Sequence, residues 1–478
     1  MLYNSLTFLV FFAIVLTCHW ALPWHRARLG WLLVSSWIFY AAWYPAYLLL
    51  MLGATFLCYA AAIGIEHYRT SRPGWSRSIL IATVIINLLD LAFFKYLDFG
   101  LSTFGTVWSW FSATEWTPPQ LGIFLPLGIS FHTFQLIGYV VDVSRGETNA
   151  IRNPWKMSLF VTFFPQLIAG PIVRPHEFLP QLEIKREFSP TQFLQGLDLI
   201  AIGLVKKVLI ADQIAPFVDQ AFGDPAATGS WGTLLAVYAY AIQIYCDFSG
   251  YTDIGRGCAF MLGYTLPSNF NAPYLACNVS DFWRRWHITL SLWLRDYLYI
   301  PLGGSRGGEW STYRNLILTM TLGGLWHGAS LTFIVWGLLH GVLLAVNRLV
   351  HNLAGISVNE PLFAGRAYRV LATVATFHAV CLGWIFFRAP DFMTAYAVLG
   401  QIGQCVMPML PRDLESLRPI ALALIALLAA HLIGQRLTKQ QFSATMRWQL
   451  LRPLAYSATA IAIILASKSG GAFIYFQF

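Results

Sequence analysis

Apolar runs near 20 residues long recur from one end of this chain to the other. They lie at about 5–22, 30–42, 46–65, 79–98, 121–143, 155–170, 195–213, 231–262, 312–326, 330–350, 368–387, 390–408, 418–435 and 451–467. A helix of that length, rising about 1.5 Å per residue, crosses about 30 Å of hydrocarbon. The strict alternation that marks membrane barrel strands is missing from these runs. The pattern therefore predicts an all-α polytopic membrane protein with about 11–14 spanning or re-entrant helices. Residues 1–118 read as plain spanning helices, with Trp37, Tyr40, Trp43 and Tyr44 at interface depth. Most of the unusual polar positions fall in the middle, about 121–345, and plain helices return at about 366–478. Without an internal repeat or a long polar stretch, residues 1–478 read as one membrane domain with a functional centre.

The pattern is broken most strongly at Ser280–Gly304, SDFWRRWHITLSLWLRDYLYIPLGG. Charged side chains cost about 2.5–3.5 kcal/mol each at a bilayer centre on insertion scales, so Asp281, Arg284, Arg285, Arg295 and Asp296 facing lipid would cost about 15 kcal/mol together. They must pair, lie at an interface or line a wet cavity. Residues 281–299 read as one helix with Ser280 as N-cap, and Trp283, Trp286, His287, Leu290, Trp293, Leu294 and Tyr297 share a face at helical spacing. That places His287 among aromatics and away from the arginines. The glycines at 303, 304, 307 and 308 form no Gly-Lys-Ser/Thr phosphate loop, which gives nucleotide hydrolysis no support.

Three further stretches carry polar groups in apolar runs. GGLWHGAS at 323–330 sets Trp326 and His327 between two spans, with glycines that permit close approach. QIYCDFSGYTD at 243–253 brings Asp247 and Asp253, which need cationic partners; Arg284, Arg285 and Arg256 are the evident choices. They fit a structural ion pair as well as substrate positioning. LPLGISFHTFQ at 125–135 and FPQLIAGPIVR at 164–174 combine helix breakers with Ser130, His132, Thr133, Gln135 and Gln166, as a cavity wall does. His132 reads as a packing histidine. Two buried histidines can divide acyl transfer, with one taking the proton of an attacking hydroxyl and the other polarising the acyl carbonyl or orienting a partner.

Composition narrows the class. The chain has 478 residues, is 57% hydrophobic and only 11% charged, against about 25% charged in a soluble domain. Its net charge of +9 does not point to nucleic acid, because the basic residues sit in short loops. Arg26 and Arg28, then Arg69, Arg72 and Arg77, then Arg145, Arg152 and Lys156 follow alternate spans and place those loops in the cytosol with the N-terminus outside. No basic segment precedes the first apolar run, so no cleavable leader is expected. Seven scattered cysteines without CxxC spacing argue against a disulfide framework or a zinc site, and no metal is expected.

Together the motifs resemble the membrane-bound O-acyltransferase family, most closely its bacterial polysaccharide branch. They are LPLGISFHTFQ, FPQLIAGPIVR, CDFSGYTDI at 246–254, NFNAPY at 269–274, DFWRRWHITLSLWLRDYLYIPLGG at 281–304, LGGLWHGAS at 322–330 and GWIFFRA at 383–389. The resemblance covers about 1–440. It implies a helical fold around a central funnel or tunnel, in a bacterial inner-membrane protein with no bound cofactor. The donor would be acetyl-CoA or another acyl thioester on the cytosolic side, and the acceptor an extracytoplasmic polysaccharide, alginate-like first, with cellulose or peptidoglycan as alternatives. It further implies an extracytoplasmic acetyltransferase partner, a catalytic role for His327, and His287 lining the same tunnel. Arg284, Arg285, Trp286, Asp247, Asp253 and Trp326 are then candidates for binding donor or substrate. His132 stands where many relatives carry Phe and takes no catalytic role. A polysaccharide transporter and a non-catalytic scaffold of an export complex are the competing readings.

Overall fold

Among the described residues of the computed structural model, which are 1–112, 116, 119, 121–168, 170–358, 360, 362–405 and 446–466, the apolar runs fold mainly as helices and no strand occurs. In chain order the helices are α1 (Leu6–Ala21), α2 (His25–Ala41), α3 (Pro45–Ser71), α4 (Pro73–Phe111), α5 (Ile129–Arg145), α6 (Pro154–Thr162), α7 (Phe164–Leu167), α8 (Pro175–Glu183), α9 (Pro190–Leu204), α10 (Asp212–Gly223), α11 (Pro225–Thr228), α12 (Ser230–Met261), α13 (Val279–Arg285), α14 (Ile288–Leu294), α15 (Glu309–His327), α16 (Leu331–Leu353), α17 (Arg366–Arg388), α18 (Phe392–Gly403) and α19 (Met446–Ala466). The expected run at 418–435 lies outside the described residues.

Four of these helices, α3, α4, α16 and α17, are long and apolar enough to cross a membrane; α1 and α18 are apolar but shorter. The protein is an all-α polytopic membrane protein. Helix α4 shows the lipid-facing type most plainly. It leaves Ile85, Ile86, Leu88, Leu89 and Phe93 largely exposed, as a surface solvated by acyl chains does.

Two compact units can be described. The first comprises Met1–Leu197 with Gly255–Pro267. In it α3 packs on α4, α5 and α6, and α2 packs on α6. An aromatic cluster of Phe8, Phe12, Phe39 and Phe164 joins α1, α2 and α7. The Tyr3 hydroxyl donates to the Phe164 carbonyl at 2.8 Å, and Phe164 N donates to Ser36 Oγ at 3.2 Å. These bonds satisfy the backbone where the run 155–170 stops being one helix. Pro165 dictates that break, because it has no N–H and its ring would clash with the carbonyl four residues back, and the backbone leaves helical geometry at Phe163; at a separate break Gly128 precedes α5 in the left-handed region at φ 68°.

The second unit comprises Asp198–Ile254 with Ser268–Phe478. Helices α15 and α16 form its tightest pair. A Cβ on Gly324 would overlap the Phe333 carbonyl, and one on Gly337 would overlap the Met320 carbonyl. Small residues thus let two backbones touch, as in membrane helix pairs generally. The same device seats the end of α9 on α12, where Gly203 and Gly250 face each other's carbonyls. Between α9 and α10 the chain widens into a π-helical turn at Val205–Ala211. Arg452 of α19 is held at 2.7 Å by Asp198, which also accepts from the Tyr456 hydroxyl.

Candidate active site

Residues 281–299 are not one helix, contrary to the periodicity. Helix α13 ends at Arg285, His287 adopts the left-handed conformation at φ 42° and ψ 55°, and α14 restarts at Ile288. A further π-helical turn follows at Arg295–Tyr299. The N-cap is also displaced. Asn278, not Ser280, accepts from Asp281 N at 2.7 Å, while Ser280 Oγ accepts from Asn347 Nδ2. No proline or glycine sits at this break. Tertiary hydrogen bonds from the segment 269–271 override the local helix signal: Ile288 N donates to the Asn269 carbonyl and Asn271 N donates to the Arg285 carbonyl, at 3.0 and 2.9 Å.

The elbow buries His287 completely. Its imidazole lies edge-on to Phe248 of α12 at 4.8 Å and 6.2 Å from the Trp326 ring. The aromatic surroundings expected for His287 are therefore present, reached through a turn and not through a helical face. His327 is the last residue of α15 and is also buried. Its ring contacts Trp326 at 5.0 Å, Trp336 at 5.0 Å and Phe387 at 5.3 Å. Trp326 thus touches both histidines, and the two sequence candidates fall in one aromatic cluster. Gly328 ends α15 in extended backbone, packed on the Phe333 ring. Ser330 then caps α16 by accepting from Thr332 N.

The other candidates divide. Trp286 is buried among Phe270, Phe282 and Trp384, with centroids 5.1, 5.7 and 4.9 Å away. Arg285 and Arg284 face Asp281 at 3.0 and 3.6 Å, and Arg284 keeps nearly half of its side chain exposed. The carboxylates of α12 meet lysines. Lys207 Nζ lies 2.8 Å from Asp247 and 2.8 Å from Asp212, and Lys206 Nζ lies 2.6 Å from Asp253. The sequence pointed to arginines as partners, and these lysine pairs were not anticipated from it. Two lysines inside the apolar run 195–213 were the available signal, because a buried Lys needs a buried carboxylate. Asp247 and Phe248 are neighbours on α12, so one turn of helix serves both Lys207 and the His287 ring.

A third histidine of this cluster escaped the sequence reading. His340 of α16 is fully buried, 5.0 Å from the Trp336 ring, and accepts from Trp283 Nε1 at its Nδ1 at 3.3 Å. Indole N–H is only a donor, so the neutral ring carries its proton on Nε2. The signal was the spacing Trp336–His340, one helical turn along α16. His132 lies in the first unit. It lines a small cavity with Gly128, Gln135 and Gln166, with room for about one water molecule. Both glutamines donate to the Phe160 carbonyl there. Among the described residues no group of three or more His, Cys, Asp or Glu side chains is placed to hold a metal ion.

Comparison with known proteins adds a second line of evidence. Residues 151–385 match the membrane-bound O-acyltransferase family. The chain is 41% identical over 401 residues to a probable alginate O-acetylase of Pseudomonas aeruginosa, covering 83% of this chain and 74% of that protein. It is 41% identical over 401 residues to a peptidoglycan O-acetyltransferase of Helicobacter pylori, covering 78% and 73%. It is also 30% identical over 303 residues to a teichoic acid D-alanyltransferase of Bacillus subtilis, covering 60% and 74%.

Proposed function

The chain belongs to the membrane-bound O-acyltransferase family, in its alginate O-acetylase-like branch, and from that premise we propose that it carries acetyl groups from a cytosolic thioester to hydroxyls outside the bacterial inner membrane. The family and its named relatives make it an acyltransferase. The observation that carries the finer reading is the burial of His287 and His327 against one shared ring, Trp326.

In this reading His327 accepts the proton of the attacking hydroxyl. The hydroxyl oxygen bonds to the thioester carbonyl carbon, the C–S bond breaks, and the departing thiolate takes the proton back from His327. His287 orients the acyl group or the acceptor. General base catalysis of this kind contributes about 10²–10⁴ in rate. Acetyl-CoA is the donor we favour, with Arg284, the more exposed arginine of α13, available to a donor phosphate. The acceptor is an alginate-like exopolysaccharide, reached directly or through an extracytoplasmic acetyltransferase partner. Two relatives of equal identity are named for different polymers, so the acceptor rests on the larger number of alginate enzymes among the relatives.

The acetyl content of extracted surface polysaccharide tests the reading in cells expressing wild type or His327→Ala, with membrane abundance measured for both. Loss of acetylation at normal abundance is expected. Full acetylation by His327→Ala would remove the assigned base and return the scaffold reading.

A further inference from the structure

Only two non-glycine residues among those described have positive φ, and they lie on facing segments: Ala272 at 45° and His287 at 42°. A left-handed non-glycine residue is strained, so such turns persist only where their surroundings impose them. The hydrogen bonds show what imposes this one. In a continuous helix Ile288 N would donate to the Arg284 carbonyl and Thr289 N to the Arg285 carbonyl. Here Ile288 N donates to the Asn269 carbonyl at 3.0 Å, and Thr289 N donates to Asn269 Oδ1 at 3.3 Å. The Arg285 carbonyl, so released, accepts from Asn271 N at 2.9 Å. These two helical bonds are thus replaced by bonds to one strap. Asn269 Oδ1 also accepts from Thr289 Oγ1 at 2.7 Å. Because a backbone N–H only donates, the carboxamide orientation is fixed. Asn269 is fully buried.

We propose that Asn269 is a positioning residue for acyl transfer: its carboxamide and carbonyl hold the left-handed elbow and thereby aim the His287 ring at Phe248 and Trp326. The inference rests on the reading of His287 as part of the transfer site. Without the carboxamide, Thr289 N and Oγ1 lose the acceptor that Asn269 gives them. The nearest repair is the helical bond to the Arg285 carbonyl, which straightens α13 into α14 and swings the His287 ring away. Thr289 belongs to the same device, because its hydroxyl completes the clamp.

The test follows labelled acetate into extracellular polysaccharide, as a rate per membrane-inserted molecule, with detergent melting measured alongside. Asn269→Leu and Thr289→Val are compared with wild type and His287→Ala. A small misplacement of a reacting group costs up to about 10²-fold, so Asn269→Leu should lose about 10–10²-fold in rate per molecule and Thr289→Val somewhat less. Thr289→Ser, which keeps the hydroxyl, should recover most of the loss in Thr289→Val. A purely structural role would lower abundance and melting temperature and leave the rate per surviving molecule unchanged. If Asn269→Leu fails to accumulate, the Thr289→Val and Thr289→Ser pair decides alone. Normal rates in Asn269→Leu or Thr289→Val beside a dead His287→Ala overturn the proposal alone. A normal rate in His287→Ala overturns the reading of the site itself.

Discussion

Two helix interruptions in this protein look alike in outline and differ in what enforces them. In the first unit the breaks around α5 and α7 are written into the covalent chain. Gly128 supplies the positive φ, and Pro165 cannot continue the helix of α6, because it has no N–H and its ring would clash with the carbonyl four residues back. In the second unit the break between α13 and α14 contains neither breaker, and His287 bears the left-handed conformation itself. Glycine and proline make a break cheap and permanent. A break without them costs energy that other contacts must return, and here those contacts converge on a candidate catalytic histidine. The difference teaches where strain is spent: on aiming a side chain, not on ending a helix.

The comparison is sharpened first by removing the support of α12. Lys207 is buried between Asp247 and Asp212. Removing one partner of a buried pair costs about 3–5 kcal/mol, so Lys207→Met should strip most of the folded protein from the membrane. Adding Asp247→Leu should restore part of it. Detergent-resistant monomer by fluorescence-detected size exclusion reads both, and wild-type levels of Lys207→Met would show that the elbow stands without the α12 ion pairs.

The two breaks then separate by substitution. Gly128→Ala puts a Cβ about 2.6 Å from the Leu167 carbonyl at positive φ. It should lower stability by about 1–3 kcal/mol and leave the rate per surviving molecule near wild type. His287→Asn should do the reverse. Asparagine tolerates the left-handed region better than alanine, so His287→Asn should melt above His287→Ala by about 1 kcal/mol equivalent, and both should lose transfer. Thermal melts and labelled-acetate rates on all three variants check this; an Asn variant no more stable than the Ala variant would mean that the turn at 287 stores no strain.

These residues also show how far the sequence could be read. The all-α membrane fold was legible because about 20-residue apolar runs have few physical uses other than spanning. His287 and His327 were legible as candidates because one sits in the charged segment that breaks the apolar pattern and the other between glycines where two spans meet, and the structure places both against Trp326. The elbow was illegible. Helical spacing of Trp283, Trp286, Leu290 and Trp293 is a local signal, whereas the bonds that override it come from Asn269 and Asn271, far enough away that no periodicity contains them. The lysine partners of α12 were missed for a related reason. Arginines near in sequence drew attention away from Lys206 and Lys207, whose place inside an apolar run was the better clue. His340 hid because a histidine four residues after a tryptophan on a helix is ordinary until its burial is known.

The central claim is that His287 and His327 work as one site. The most direct measurement is the rate of acetyl transfer to extracellular polysaccharide per inserted molecule for His287→Ala, His327→Ala and the double variant. Groups that act as a unit are grossly non-additive, so the double variant should be about as slow as the slower single variant. Losses that multiply, or a single variant that keeps the wild-type rate, would contradict a shared site.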